Sequence, residues 1–219
     1  MHKHQLSALT ATAVAATVVL GVTKDAQAYT FGSSGISFTK NTTVTFTMGS
    51  THSSFLSSLA IYQVPIAQPS VRPRRVVPTK IYDLFWETKN SDNGNANEWI
   101  GTFGNTITSA TGSSQVQFTF LANKLYALGL FSKKIGLLTN ATMVYTTPSL
   151  NPGTTGGVQF SGTLADGMTI AFDDGGNNND QDYNDFTLTA AVPEPLSIAG
   201  MAFGAVGMAL ARKRRSQML

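Results

Sequence analysis

The chain has no cysteine among its 219 residues, which excludes a disulfide framework and every thiolate metal site. Histidine is nearly as scarce. His2 and His4 stand near the N-terminus, and only His52 falls within the body. A histidine metal cluster is thereby excluded, and His52 lies in a Ser/Thr-rich turn with no motif that would orient it for Ser-His chemistry. Charge is thin, at 12% of residues, and no window of the body carries a helical apolar stripe. Without crosslinks, stability has to come from an apolar core or from bound ions.

What is present is concentrated at the two ends. Lys3 supplies a basic start, Leu6 to Val22 is an apolar Ala/Val/Thr-rich run, and Ala26-Gln27-Ala28 is a small-x-small cleavage site. Residues 1–28 therefore read as a signal peptide, cleaved after Ala28 to leave Tyr29 first. At the other end Pro193-Glu194-Pro195 breaks regular structure. An apolar run from Leu196 to Ala211 follows, and then the cations Arg212, Lys213, Arg214 and Arg215. The apolar run is slightly shorter than the roughly 17–25 residues a spanning helix usually needs. The basic cluster is expected to stay cytoplasmic.

This tail, residues 193–219, closely resembles the PEP-CTERM sorting signal of Gram-negative and cyanobacterial exported proteins. The resemblance rests on the motif, span and basic cluster standing in that order. It implies that an exosortase-type membrane peptidase recognises the tail and removes it. The protein would then cross the inner membrane, be held there transiently through residues 196–211, and reach the cell surface or the extracellular space. An ordinary C-terminal anchor is the plainer alternative.

Setting both ends aside reverses the charge argument. The chain carries +3 overall, yet from Tyr29 to Val192 there are nine Lys/Arg against ten Asp/Glu. The body is near neutral, so the basic isoelectric point argues for no nucleic-acid partner. Residues 29–192 suit one domain with a sizeable core.

Apolar alternation recurs along this body. Val44-x-Phe46-x-Met48, Leu59-x-Ile61, Val116-x-Phe118-x-Phe120, Met168-x-Ile170-x-Phe172 and Phe186-x-Leu188-x-Ala190 each repeat every second residue. Period two with polar partners marks strands buried on one face. Tyr126 to Phe131 and Met143 to Tyr145 are further strands, the first more continuously apolar and so more central. For Ile81–Trp86 a helical insertion stays open. The expected fold is all-β, a jelly-roll-like antiparallel β-sandwich flanked by the signal peptide and a C-terminal transmembrane sorting helix.

Two polar interruptions break the pattern. Residues 65–78 hold four prolines with Arg72, Arg74 and Arg75 and read as an extended loop. Its guanidinium groups suit the carboxylates or sulfates of an acidic polysaccharide, against the plainer reading of a solvated loop. Asn90 to Asn97 is a polar turn between Trp86 and Trp99, whose rings suit sugar stacking or, by default, core packing.

The densest chemistry lies between the last two alternating segments. Five Asp fall within the thirteen residues from Asp173 to Asp185, so like charges repel unless a cation or water separates them. Calcium takes six to eight oxygen ligands, and Asp180-x-Asp182-x-Asn184 spaces three oxygen-bearing side chains alternately. Gly175-Gly176 lets the loop fold back and bring Asp173 or Asp174 alongside, with Asp185 a further ligand candidate. The spacing is not that of an EF-hand, because Asp185 and Ala191 occupy positions that motif gives to Gly and Glu. A solvated turn with Asx hydrogen bonds to its own backbone is the competing reading.

Phe172, Asp173-Asp174, Gly175-Gly176 and Asp180-x-Asp182-Tyr183-Asn184-Asp185 also resemble the closing phrase of an uncharacterised family of bacterial exported β-domains. Leu59-Ala60-Ile61-Tyr62, Leu128 to Ser132 and Asn151-Pro152 echo the same family less specifically. The resemblance implies a β-rich, calcium-associated extracellular module and no established activity. The function expected is a non-catalytic envelope or extracellular-matrix protein, with Ca2+ as cofactor and exopolysaccharide as candidate partner. The alternative is a polysaccharide-active hydrolase. Such an enzyme needs a carboxylate pair across the scissile bond, for which Asp83, Glu87 and Glu98 are the main candidates, with no spacing that singles out two.

Overall fold

The computed structural model describes residues 28–53, 55–65, 76–88, 100–133, 141–151, 153, 157–174 and 181–193. The signal segment, the sorting tail beyond Pro193, the arginine-bearing part of the proline loop, the Asn-rich turn with Trp99, and Asp180 lie outside these residues. Among the described residues no helix is long and apolar enough to cross a membrane.

The described residues form fourteen strands in chain order: β1 (Tyr29–Gly32), β2 (Gly35–Phe38), β3 (Thr42–Met48), β4 (Ser50–His52), β5 (Leu56–Val64), β6 (Thr79–Glu87), β7 (Ile100–Thr102), β8 (Ile107–Ser109), β9 (Gln115–Phe120), β10 (Leu125–Lys133), β11 (Ala141–Tyr145), β12 (Gly157–Ser161), β13 (Met168–Asp173) and β14 (Phe186–Ala191). One short 3-10 turn, Pro148–Leu150, separates β11 from β12. A seven-stranded sheet runs β1-β2-β10-β5-β6-β8, with β11 also on β10; a five-stranded sheet runs β12-β13-β14-β3-β9; β4 and β7 form a small third pair. The ladders are antiparallel.

The alternating segments form strands because one face of each has somewhere dry to go. In β3 burial alternates residue by residue, Val44 and Phe46 inward with Thr43, Thr45 and Thr47 half-exposed. The continuous apolar run at Tyr126–Leu130 is buried throughout, as befits a strand paired with β5 on one side and β2 and β11 on the other. Residues from both large sheets share one core cluster, among them Leu59, Ile61, Phe85 and Leu128 from the larger and Val44, Phe46, Ile170 and Leu188 from the smaller. Phe120 sits where the sheets meet. Its ring lies 5.5 Å from Phe38, 5.1 Å from Tyr126, 4.9 Å from Phe118 and 6.2 Å from Phe46. Edge-to-face contacts of this kind add to the area burial of each ring.

The helical alternative at Ile81–Trp86 is overturned: the segment lies inside strand β6. The ladder with β5 is irregular there, with register shifts between Leu59 and Ala60 and between Ile61 and Tyr62. Extra residues inserted opposite a regular strand break the two-residue period that would have identified it.

Candidate metal centre

β13 and β14 pair from Met168↔Ala190 to Phe172↔Phe186, so Asp173 and Asp185 mark the root of the final hairpin. Phe186 and Phe172 are wholly buried and fix that root against the core. Here the structure gathers Asp173, Asp174 and Asp185, each offering a carboxylate oxygen within 4.8 Å of the others. All three are buried, at 1%, 2% and 9% exposure, which is unusual for ionisable groups unless something compensates their charge.

Contacts from distant strands hold the cluster. The Asp174 amide donates to Asp185 Oδ2 at 2.8 Å, and Ser53 Oγ donates to Asp174 Oδ2 at 2.7 Å. Thr142 Oγ1 donates to the Asp174 carbonyl at 2.8 Å, and the His52 amide donates to the Asp185 carbonyl at 3.3 Å. The root of the hairpin is thus tied to the segment after β4 and to β11 of the other sheet. Burial pushes the Asp185 carboxyl up to about 8, with the negative charge of Asp174 next and Asp173 and Asp182 adding to it; the hydrogen bond from the Asp174 amide opposes the rise. With no cation bound, Asp185 therefore carries a proton at neutral pH.

The returning limb of the loop is shaped by its backbone. Gln181 and Tyr183 adopt left-handed conformations, φ 57° and 53°, which curl the chain in two steps. Tyr183 lies over Gly157, where a β-carbon would meet its ring at 3.2 Å. Asp182 is exposed and turns toward its neighbour: Asn184 donates through its amide at 3.3 Å to Asp182 Oδ1 and through Nδ2 at 2.6 Å to Oδ2. That is the Asx arrangement of the competing reading. The Asn184 Oδ1 oxygen points the other way chemically: it is buried and accepts no hydrogen bond, a neutral acceptor of the type calcium uses beside carboxylates.

Of the expected ligands, then, Asp173, Asp174 and Asp185 converge, Asp182 and Asn184 bond to each other, and Asp180 lies outside the described residues. The donor set is all hard oxygen, which fits calcium and suits no soft metal. Ser53, His52 and Thr142 were not legible as partners, because hydrogen bonds across 32 residues for Thr142 and 121 for Ser53 leave no local pattern in sequence.

Of the carboxylates considered for hydrolysis, Glu87 and Asp83 have other partners. Glu87 is buried, accepting from Thr51 Oγ1 at 2.6 Å and from the Ser57 amide at 2.7 Å, and so pins β4 and the start of β5 to the end of β6. Asp83 pairs with Lys80 at 3.0 Å on the surface. Asp166 accepts from Thr163 Oγ1 at 2.8 Å in a tight turn. Glu98 and Asp92 lie outside the described residues.

No family model, no curated protein and no solved structure matches this chain.

Proposed function

We propose that this chain is a non-catalytic exported protein of the cell envelope or extracellular matrix, with a jelly-roll-type β-sandwich stabilised by calcium at the root of its final hairpin. It enters the export pathway by residues 1–28 and is sorted by an exosortase-type peptidase at Pro193-Glu194-Pro195. Exopolysaccharide is its partner. The observation that carries the reading is the convergence of Asp173, Asp174 and Asp185, three carboxylates taken out of water at one point. A divalent cation offsets their repulsion more fully than a single proton on Asp185 does. The start of β1 at Tyr29, the residue left first by cleavage after Ala28, agrees with the export reading. The hydrolase alternative gains no comparable support, since Glu87 is occupied by Thr51 and Ser57.

Titration calorimetry of the purified chain tests the cation directly. Calcium is expected to bind with a dissociation constant on the order of 10⁻⁴–10⁻³ M, the range of extracellular modules. No heat and no rise in melting temperature at millimolar calcium would reduce the loop to a solvated turn.

A further inference from the structure

Lys80, Asp83 and Trp86 are three residues apart in sequence, yet their partners on β5 are Tyr62, Ala60 and Ser58, two apart. The two register shifts in the ladder absorb the extra residues. Leu59 and Ile61 belong to the core, so Ser58, Ala60 and Tyr62 take the opposite face of the sheet, and the three β6 residues take it with them. Irregularities of this kind re-aim side chains and recur beside binding sites. Here they align an ammonium, a carboxylate and an indole along one side of an open cleft of about 640 Å³, with Ser58, Ile81 and Ala110 also on its walls. That volume lies within the ~300–1,000 Å³ of small-ligand sites.

We propose that this cleft binds a neutral sugar unit of a polysaccharide. Trp86 supplies flat apolar surface for the C–H face of a pyranose ring. Lys80 Nζ donates to both Asp83 oxygens, at 3.0 and 3.2 Å, and both side chains stay about half exposed, at 53% and 49%. Donor and acceptor thus stand side by side next to the indole, the arrangement that vicinal hydroxyls satisfy by donating to one group and accepting from the other. The charges of the pair cancel, so the cleft offers no net attraction to a uronic acid or a sulfated sugar. Ser58 adds a hydroxyl, and Ile81, 40% exposed, adds an apolar rim. Among the described residues β8 pairs with β6 only at Phe85–Glu87, so within them the cleft stays open toward Lys80 and gives a polymer room to continue past the bound unit.

The inference deepens the matrix reading, on which it rests only for the source of the glycan. Its test is calorimetry on the purified full chain in mild detergent at millimolar calcium, with cellohexaose, mannohexaose, xylohexaose and hexagalacturonate as probes. At least one neutral hexasaccharide is expected to bind, with hexagalacturonate about tenfold weaker or silent. Trp86→Ala is expected to weaken that binding about tenfold or more, and Asp83→Asn to weaken it several-fold. Should Trp86→Ala fail to fold, Lys80→Ala and Asp83→Asn, both on exposed side chains, decide the matter with unchanged melting temperatures. Failure of every neutral probe overturns the proposal. Tighter binding of hexagalacturonate, or neutral-sugar affinity indifferent to all three substitutions, overturns it too. Processing and export do not enter this measurement, so its failure is distinct from failure of the sorting reading.

Discussion

Ser53 and Asp174 are 121 residues apart in sequence and joined by a 2.7 Å hydrogen bond in the buried end of the sandwich. The same Ser53 hydroxyl accepts the Phe55 amide at 3.0 Å, so its proton is directed to the carboxylate and its lone pair to the backbone. One small hydroxyl thereby fixes the chain between β4 and β5 and orients a carboxylate at the root of the last hairpin. Position and charge at the cluster are set by the same contact.

Ser53→Ala is accordingly expected to destabilise the protein by about 1–3 kcal/mol, the range for removing a buried hydrogen bond to a charged group. It should also lower calcium affinity, because Asp174 loses the donor that orients it. Urea denaturation with and without calcium measures both effects. A variant as stable as the parent, with unaltered calcium response, would show that the contact orients nothing.

Phe120→Ala tests the core where both sheets meet. Removal of a wholly buried phenylalanine costs about 3–5 kcal/mol, and this ring touches Phe38, Phe46, Phe118 and Tyr126. The variant is expected to lose most of a typical marginal stability. Phe131→Ala, at a side chain 38% exposed, is expected to cost far less, and near-equal denaturation midpoints for the two would contradict the shared core.

The calcium-free protein should lose stability as pH rises. Asp185 titrates near 3.8 when unfolded and at about 8 when folded, so the folded state binds the extra proton between those values. Stability is then fullest below about 4, falls through neutrality and levels off above about 8. Calcium occupying the cluster displaces that proton, and the slope should flatten. Thermal melts at several pH values, with chelator and with calcium, check the sign; stability rising with pH in the chelated protein would contradict the burial of Asp185.

Much of this architecture was legible in sequence because strands with one dry face announce themselves. Val44, Phe46 and Met48, or Met168, Ile170 and Phe172, alternate cleanly and lie in strands. β6 hid its nature for a physical reason. Two register shifts stretch the spacing of Lys80, Asp83 and Trp86 to three, which imitates a helical repeat on what is one face of a sheet. Strands β4 and β7 have three residues each, too few for any period to register. The acidic hairpin was found through its charge density. Its division of labour was not, since burial selects Asp173, Asp174 and Asp185 while Asp182 turns to Asn184, and burial depends on contacts with Ser53, His52 and Thr142 that lie far away along the chain.

Export and sorting are tested by intact mass. Material recovered outside the producing cell is expected to begin near Tyr29 and to lack Leu196–Leu219. Replacing Pro193-Glu194-Pro195 should retain the chain in the inner membrane, with Arg212–Arg215 on the cytoplasmic side. An extracellular soluble form that keeps the apolar tail would defeat the sorting reading.

Asp185→Asn separates the cation from the proton. The substituted amide has nearly the shape of a protonated carboxyl, carries no charge, and still offers one oxygen to the Asp174 amide that donates to Asp185 Oδ2. In chelator above about pH 8 the variant should therefore be more stable than the parent, because it never has to ionise in a buried site beside Asp173 and Asp174. Its stability should also depend less on pH. Calcium should act on it in the opposite way. One of three converging carboxylates is gone, so affinity falls, and with it the stabilisation that linkage supplies, about 1.4 kcal/mol at ten times the dissociation constant for the parent. Parent and variant are thus expected to exchange rank: the variant melts higher in chelator at alkaline pH, and the parent gains more when calcium is added. A purely electrostatic surface effect would follow ionic strength and be reproduced by magnesium or by salt alone, whereas a seven- or eight-oxygen site discriminates against magnesium, which demands a tighter octahedron. If magnesium raises the melting temperature of the parent as much as calcium does, the cluster is a patch of negative potential and not a built site.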